Sequence, residues 1–229
     1  LAAYNNCPYQ YRFAHILRIP RRGKAPFSFG KTMHSTMQET FKRLNEKTGL
    51  GQADLFGEVK KVNRSPEISK DEMLEIFEEA WIDDWYESKK QKEDYKKKGR
   101  DIIKEFHAKH TGNWPTAQFM EKGFSIKLKS GEDVFTLRGS IDRVDSVGKD
   151  KVKLVDYKTG KPKTKLDASD KDQLYIYQIA IEEVFGLKAE SLAFYYLEDN
   201  SELEFLGKPE DLDKLKHKSI DTINNIRSG

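Results

Sequence analysis

The chain has 229 residues, 41 of them Lys or Arg and 38 Asp or Glu, for a formal net charge of +3. That length suits one large domain, since single cores stop growing near ~250–300 residues, and the near-balanced total says little about partners until the charges are placed along the chain. The single cysteine, Cys7, excludes an internal disulfide framework and a self-contained zinc finger built on cysteine ligands. No segment approaches the roughly 18 apolar residues of a membrane span, and no signal-peptide pattern opens the chain, so a cytoplasmic protein without membrane contact is expected. Aromatic residues at 11% argue against disorder. The start at Leu1 and the stop at Ser228-Gly229 read as a piece cut from a longer protein.

In chain order, about residues 1–112 read as helical and about 113–229 as a sheet core, within a single 1–229 domain. Phe29 to Leu44 places Met33, Met37, Phe41 and Leu44 at helical spacing on an otherwise polar segment. Ser69-Lys-Asp-Glu72 has the form of a capping box and predicts one long helix, with Met73, Phe77, Trp81 and Trp85 four apart. That helix starts acidic and turns basic from Lys89 to Arg100, in the sense its dipole favours. After a turn at Thr111–Pro115, alternation over Phe124–Lys129 predicts a strand, Ser130–Asp133 a turn and Val134–Val144 a second strand. Lys151–Lys158 is a third strand, Asp172–Phe185 a helix ended by Gly186, Leu192–Leu197 a fourth strand, Leu203–Phe205 a fifth, and Lys208–Ile226 a closing helix. Antiparallel strands, a helical crossover and a further strand predict an α/β fold, a mixed sheet flanked by helices.

Chemistry concentrates in Gly139-Ser-Ile-Asp142-Arg-Val and Leu154-Val-Asp156-Tyr-Lys158-Thr-Gly160. Each puts an aspartate in an apolar strand, where an unpaired carboxylate is costly, so a shared cation would offset both costs. Asp156 and Lys158 project from the same face of an extended strand, either as a salt bridge or as a metal ligand beside an electrostatic stabiliser. Paired aspartates suit Mg²⁺ or Mn²⁺, and His34 would add a nitrogen ligand that favours Mn²⁺. Alone, His34 is more simply an ordinary helix histidine. Gln173 and Tyr177, four apart on a helix, share a face and by themselves suggest packing.

The order of these pieces resembles the RecB-like branch of the PD-(D/E)XK nucleases, in which a helical His precedes a GxxD segment, a (D/E)xK strand and a QxxxY helix. The resemblance runs from Cys7 to Tyr177, including the Cys-Pro pair and aromatics of Tyr4–Phe13, with Ile141 where the family name has proline. It implies the restriction-endonuclease-like core. It also implies that His34, Asp142, Asp156 and the backbone carbonyl of Tyr157 ligate the metal. Lys158 would then hold the attacking water or the scissile phosphate, and Gln173 and Tyr177 would brace it. The implied activity is metal-dependent hydrolysis of DNA, as an exonuclease in repair or recombination, with a superfamily-1 helicase in the same polypeptide or in a partner. Many such relatives carry a 4Fe–4S cluster. Cys7 stands at its first ligand position, and the cluster would need three further cysteines beyond Gly229.

The basic runs Arg18–Lys24 and Lys89–Arg100 are either solvated faces or phosphate contacts; Lys161, Lys163 and Lys165, at the mouth of the expected site, are better placed for nucleic acid. Ala25–Thr32 imitates the end of a phosphate-binding loop, but Ala25 replaces its first glycine and Pro26 removes a backbone donor. His107 and His110 lack a metal-site pattern and read as surface histidines. The rival from another class is a catalytically silent DNA-binding or scaffold module that has kept the fold.

Overall fold

A computed structural model describes residues 2–20, 22–48 and 67–228. Arg21 of the first basic run and the two terminal residues lie outside the described residues. Short helices α1 (Ala2–Asn6) and α2 (Pro8–Tyr11) and a π-helical turn (Arg12–Ile16) precede the long α3 (Ala25–Thr48), then α4 (Lys70–Glu79) and α5 (Lys89–His110). The sheet strands are β1 (Ala117–Ser130), β2 (Asp133–Gly148), β3 (Lys151–Lys158), β4 (Lys188–Tyr196) and β5 (Ser201–Phe205). Helix α6 (Ala168–Glu183) joins β3 to β4, and α7 (Pro209–Ser228) closes the described chain.

The helix expected from Ser69 is two helices. Ser69 caps the first, accepting the Glu72 N–H, but α4 ends at Glu79 and Trp85 takes a left-handed φ of 66°. The backbone groups that a continuous helix would have used are captured by α3: Ile82 N–H donates to Thr32 Oγ1 at 3.1 Å, and Ser28 Oγ–H donates to the Asp84 carbonyl at 2.6 Å. Trp81 stacks on Tyr86 within this loop, and Ser88 begins α5 by accepting the Gln91 N–H. Residues Ala25–Thr32 are the first turns of α3, so no phosphate-cradling loop forms there.

The sheet order is β1-β2-β3-β4-β5. Strands β1, β2 and β3 pair antiparallel, β3 and β4 parallel across the α6 crossover, and β5 adds antiparallel to β4. Gly131, with φ of 61°, makes the turn of the long β1–β2 hairpin. Alternation along β3 and β4 serves two cores. Val155, Tyr157, Ala193 and Tyr195 face Met33, Met37, Phe41, Phe77 and Phe106 of α3–α5. Leu154, Leu192 and Phe194 face Leu174 and Ile181 of α6 and Leu212 of α7. Each fully buried Met or Phe here contributes roughly 1.5–3 kcal/mol, so the apolar stripe of α3 is what holds His34 against the sheet.

Candidate active site

Pairing between β2 and β3 runs from Gly148↔Lys151 to Arg143↔Val155 and stops there. Beyond that point Asp142 replaces the ladder with its side chain: its Oδ2 accepts the Tyr157 N–H at 2.8 Å. The N–H and C=O of one strand residue face the same neighbour, so the Tyr157 carbonyl faces the gap where the strands part. The Lys158 carbonyl points the other way, accepting the Leu197 N–H at 2.9 Å.

Asp156 projects toward α6 and is 2% exposed. Gln173 Nε2 donates to Asp156 Oδ1 at 2.6 Å and to the Tyr177 hydroxyl at 2.9 Å. Tyr177 in turn donates to the same carboxylate oxygen at 3.3 Å. The Lys158 ammonium lies 2.7 Å from Asp156 Oδ2 and donates to Gln173 Oε1 at 3.0 Å. The amide thus holds acid and base at once, which requires Gln173 and Tyr177 on one face of α6 and Asp156 and Lys158 on one face of β3. Asp156 Oδ2 has the Lys158 ion pair, whereas Oδ1 takes the amide and phenol donors.

From the other side, α3 brings His34 Nδ1 to 3.2 Å from Asp142 Oδ2. The structure therefore gathers His34, Asp142, Asp156, Lys158, Gln173 and Tyr177 at the end of β3, with the Tyr157 backbone between them. It also adds a residue that the sequence reading missed. Glu121 of β1, half-buried, joins His34 and Asp142 in a group whose ligand atoms all lie within 4.8 Å of one another.

The electrostatics reflect crowded acids. Burial and the charge of Asp142 raise the Asp156 carboxyl above its ordinary range, against the pull of Lys158. Glu121 is raised by burial and by Asp142. Burial alone would lower His34, but the Asp142 hydrogen bond and the charges of Asp142, Asp156 and Glu121 leave it raised. Three carboxylates gathered around one imidazole and one ammonium fit a cation.

Lys161 is exposed, whereas Lys163 is bound to Asp170 at 2.6 Å. Cys7 is free and half-buried at the start of α2, two residues after Asn5, whose side-chain oxygen accepts from Thr222 of α7 at 3.2 Å. Within Lys89–Arg100, Lys92 pairs with Asp83, Lys96 and Arg100 with Glu78, and Lys98 with Glu198. His110 is not a surface histidine: it is 8% exposed and lies 3.1 Å from the Tyr195 hydroxyl, while His107 Nε2 lies 2.9 Å from the Ile68 carbonyl.

This fold, with an acid and a lysine on its central strand and a second acid on the strand beside it, defines a class. The model of the PD-(D/E)XK nuclease superfamily matches residues 1–229, and the chain belongs to that superfamily. Among solved structures it is similar to a protein from Eubacterium rectale described as a candidate exonuclease. That match has a TM-score of 0.53 and 10% identity, covering 96% of this chain and 73% of the other, and it bears on the fold alone. A match to the crystal structure of SSO0001 has a TM-score of 0.37 and 19% identity over 58% of this chain and 68% of that one. No curated protein matches the sequence. No described helix is long and apolar enough to cross a membrane.

Proposed function

We propose that the chain is a divalent-metal-dependent deoxyribonuclease of the RecB-like branch, acting as an exonuclease in cytoplasmic DNA repair or recombination. It would work beside a superfamily-1 helicase motor in the same longer polypeptide or in a partner subunit. The observation that carries the reading is the cluster itself. Asp156, Lys158, Gln173 and Tyr177 are hydrogen-bonded or ion-paired to one another, with His34 and Asp142 next to them.

His34, Asp142, Asp156 and the Tyr157 carbonyl would hold the ion, and one imidazole among oxygens suits Mg²⁺ or Mn²⁺, with Mn²⁺ favoured. When bound, the ion makes a water more acidic and offsets charge on the scissile phosphate. Lys158 supplies a compact positive charge for the attacking water or a phosphate oxygen as charge builds in the transition state. Gln173 fixes that charge by accepting from Lys158 while donating to Asp156, and Tyr177 closes the same network. Lys161 is a better candidate than Lys163 for DNA phosphates, because Lys163 already has a carboxylate partner. A 4Fe–4S cluster on Cys7 would require three further cysteines beyond Gly229.

The test is cleavage of linear duplex and single-stranded DNA with Mg²⁺ or Mn²⁺, alongside Asp156→Ala and Lys158→Ala. Cleavage by the unaltered chain that both substitutions remove is expected. Cleavage that survives both overturns the site, and DNA binding without metal-dependent cleavage makes the chain a silent scaffold module.

A further inference from the structure

Trp85 lies outside every motif of the site, yet it is held in place against strain. Its φ of 66° is a left-handed backbone that a bulky side chain rarely adopts, at a cost of roughly 1–2 kcal/mol. Full burial of the indole does not offset that cost, because the residue is 38% exposed. The loop is nonetheless fixed. Just before Trp85, the Ile82 N–H and the Asp84 carbonyl are bonded to Thr32 and Ser28 of α3, and the ring lies so close over Gly23 that a side chain there would overlap it.

The adjoining face of α3 has a matching composition. Phe27, Lys31 and His34 stand at i, i+4 and i+7, so they share one face of the helix. Phe27 is 61% exposed. The exposed Lys31 ammonium lies 5.6 Å from the centre of the Trp85 ring and has no carboxylate partner among the described residues. Gly30, on the same face, is so near the residue after Lys158 that a Cβ there would lie 3.5 Å from Thr159 Oγ1. The face therefore runs from Trp85 and Phe27 to His34 and the end of β3. Upstream, the chain carries Arg12, Arg18, Arg21, Arg22 and Lys24, and its first acid is Glu39.

We propose that this face is the path by which single-stranded DNA reaches the site, with one base stacked on Trp85, a second on Phe27, and Lys31 on the phosphate beside them. The inference rests on the reading of the site as a nuclease centre and deepens it by naming the form of the substrate and the residues that hold it. Bases inside a duplex stack on one another and offer no face to an indole, whereas every unpaired base does. Open rings interleaved with unpaired cations match a strand of alternating bases and phosphates, and each stacked base contributes about 1–3 kcal/mol. Asp84 and Glu87 flank Trp85 in its loop, which assigns the phosphates to the Lys31 side.

The test is binding of a short oligothymidylate to the folded chain, in chelator so that no strand is cut, read by anisotropy of the labelled strand and by indole fluorescence. Trp114 is buried and Trp81 stacks on Tyr86, so quenching reports Trp85. Trp85→Ala should weaken affinity by roughly tenfold and remove most of the quenching, whereas Trp85→Phe should keep affinity within about threefold. Trp85→Gly separates binding from folding, because glycine takes the positive φ without strain: its unfolding midpoint should exceed that of Trp85→Ala while its loss of affinity is the same. Lys31→Gln should lower the slope of log affinity against log salt by about 0.7, one single-strand phosphate contact. With Mn²⁺ present, Trp85→Ala should raise KM for single-stranded DNA and leave kcat within about threefold. An equal loss of duplex affinity overturns the single-strand assignment. Single-strand affinity unchanged in Trp85→Ala and Trp85→Gly, with cleavage intact, overturns the path, leaves the nuclease centre standing and gives the open rings to a protein partner. A folded chain that neither binds the oligonucleotide in chelator nor cuts DNA with Mn²⁺ overturns both.

Discussion

Neighbouring residues on β2 and β3 feed two polar clusters of opposite character. Asp142 and Asp156 enter the candidate site, whereas Arg143 and Tyr157, one residue further along each strand, enter a buried network under α3 and α5. Arg143, 1% exposed, pairs with Asp145 at 2.9 Å, donates to the Tyr157 hydroxyl and lies over the Phe41 ring. The Tyr195 hydroxyl donates to Asn200 at 2.8 Å, so it accepts from the neighbouring His110. One arginine meets one aspartate, and this cluster is shut from water. In the candidate site the His34 and Lys158 side chains are 31% and 36% exposed, and acids outnumber bases. A closed, charge-matched cluster serves folding, whereas an open one with surplus charge carries a cost that a bound ion would offset.

The largest expected effect breaks the open cluster without touching stability. Asp156→Asn and Lys158→Met should each lower cleavage by about a thousandfold, ~4 kcal/mol of transition-state stabilisation. Asp156 has a raised carboxyl pKa in the folded chain, so its ionised form is less favourable folded than unfolded above the ordinary carboxylate range. Asparagine removes that penalty, and the thermal midpoint should therefore hold or rise. A midpoint that falls sharply in Asp156→Asn would place this cluster with the structural one.

Arg143→Met reverses the pattern. It leaves Asp145 buried without its partner and should cost about 3–5 kcal/mol in urea unfolding. Cleavage per folded molecule, measured well below the midpoint, should change less than about tenfold. Equal losses of stability and of rate would mean that the two clusters act as one.

His110 gives the closed cluster a pH signature. Burial first, with Arg143 and nearby lysines adding to it, lowers its pKa from 6.5 to about 4. Below pH 6.5 the unfolded chain therefore takes up a proton that the folded chain refuses. Stability present at neutral pH is lost as pH falls toward 4, by roughly 2–3 kcal/mol. His110→Gln should flatten that part of the urea-unfolding profile, and an unchanged slope would remove His110 as its source.

What the sequence made legible follows from short periods. Asp156 and Lys158 two apart on a strand, and Gln173 and Tyr177 four apart on a helix, share faces whatever the tertiary context. Spacing shows the two shared faces; that they meet in one group was implied only by the family resemblance, and the structure bonds them to one another. Neither route reaches Glu121. Its place depends on a hairpin register that pairs positions 21 residues apart and on one left-handed residue in a strand whose first half shows no clean alternation. The break between α4 and α5 was hidden for a similar reason. Met73, Phe77, Trp81 and Trp85 keep helical spacing through it, while the decision lies with Ser28 and Thr32, more than 40 residues upstream, which capture the backbone. Those burials and bonds are long-range, as is the one between His110 and Tyr195, 85 residues apart.

The smallest effects concern cations outside both clusters. Lys96 and Arg100 on Glu78 are exposed pairs, 2.7 and 2.6 Å, and Glu78→Gln should cost less than about 1 kcal/mol. The lysines after β3 divide more usefully. Lys163 is held by Asp170, and its charge is already matched, whereas Lys161, two residues nearer Lys158, is exposed. Lys161→Gln should weaken DNA binding at all sequences alike and lower the slope of log affinity against log salt by about one phosphate contact, near 0.9. Lys163→Gln should leave that slope unchanged, because neutralising a lysine that already faces a carboxylate releases no further counterion from DNA. Equal slopes for the two variants would show that the Asp170 pair opens when DNA binds, extending the open character of the site along the loop into α6.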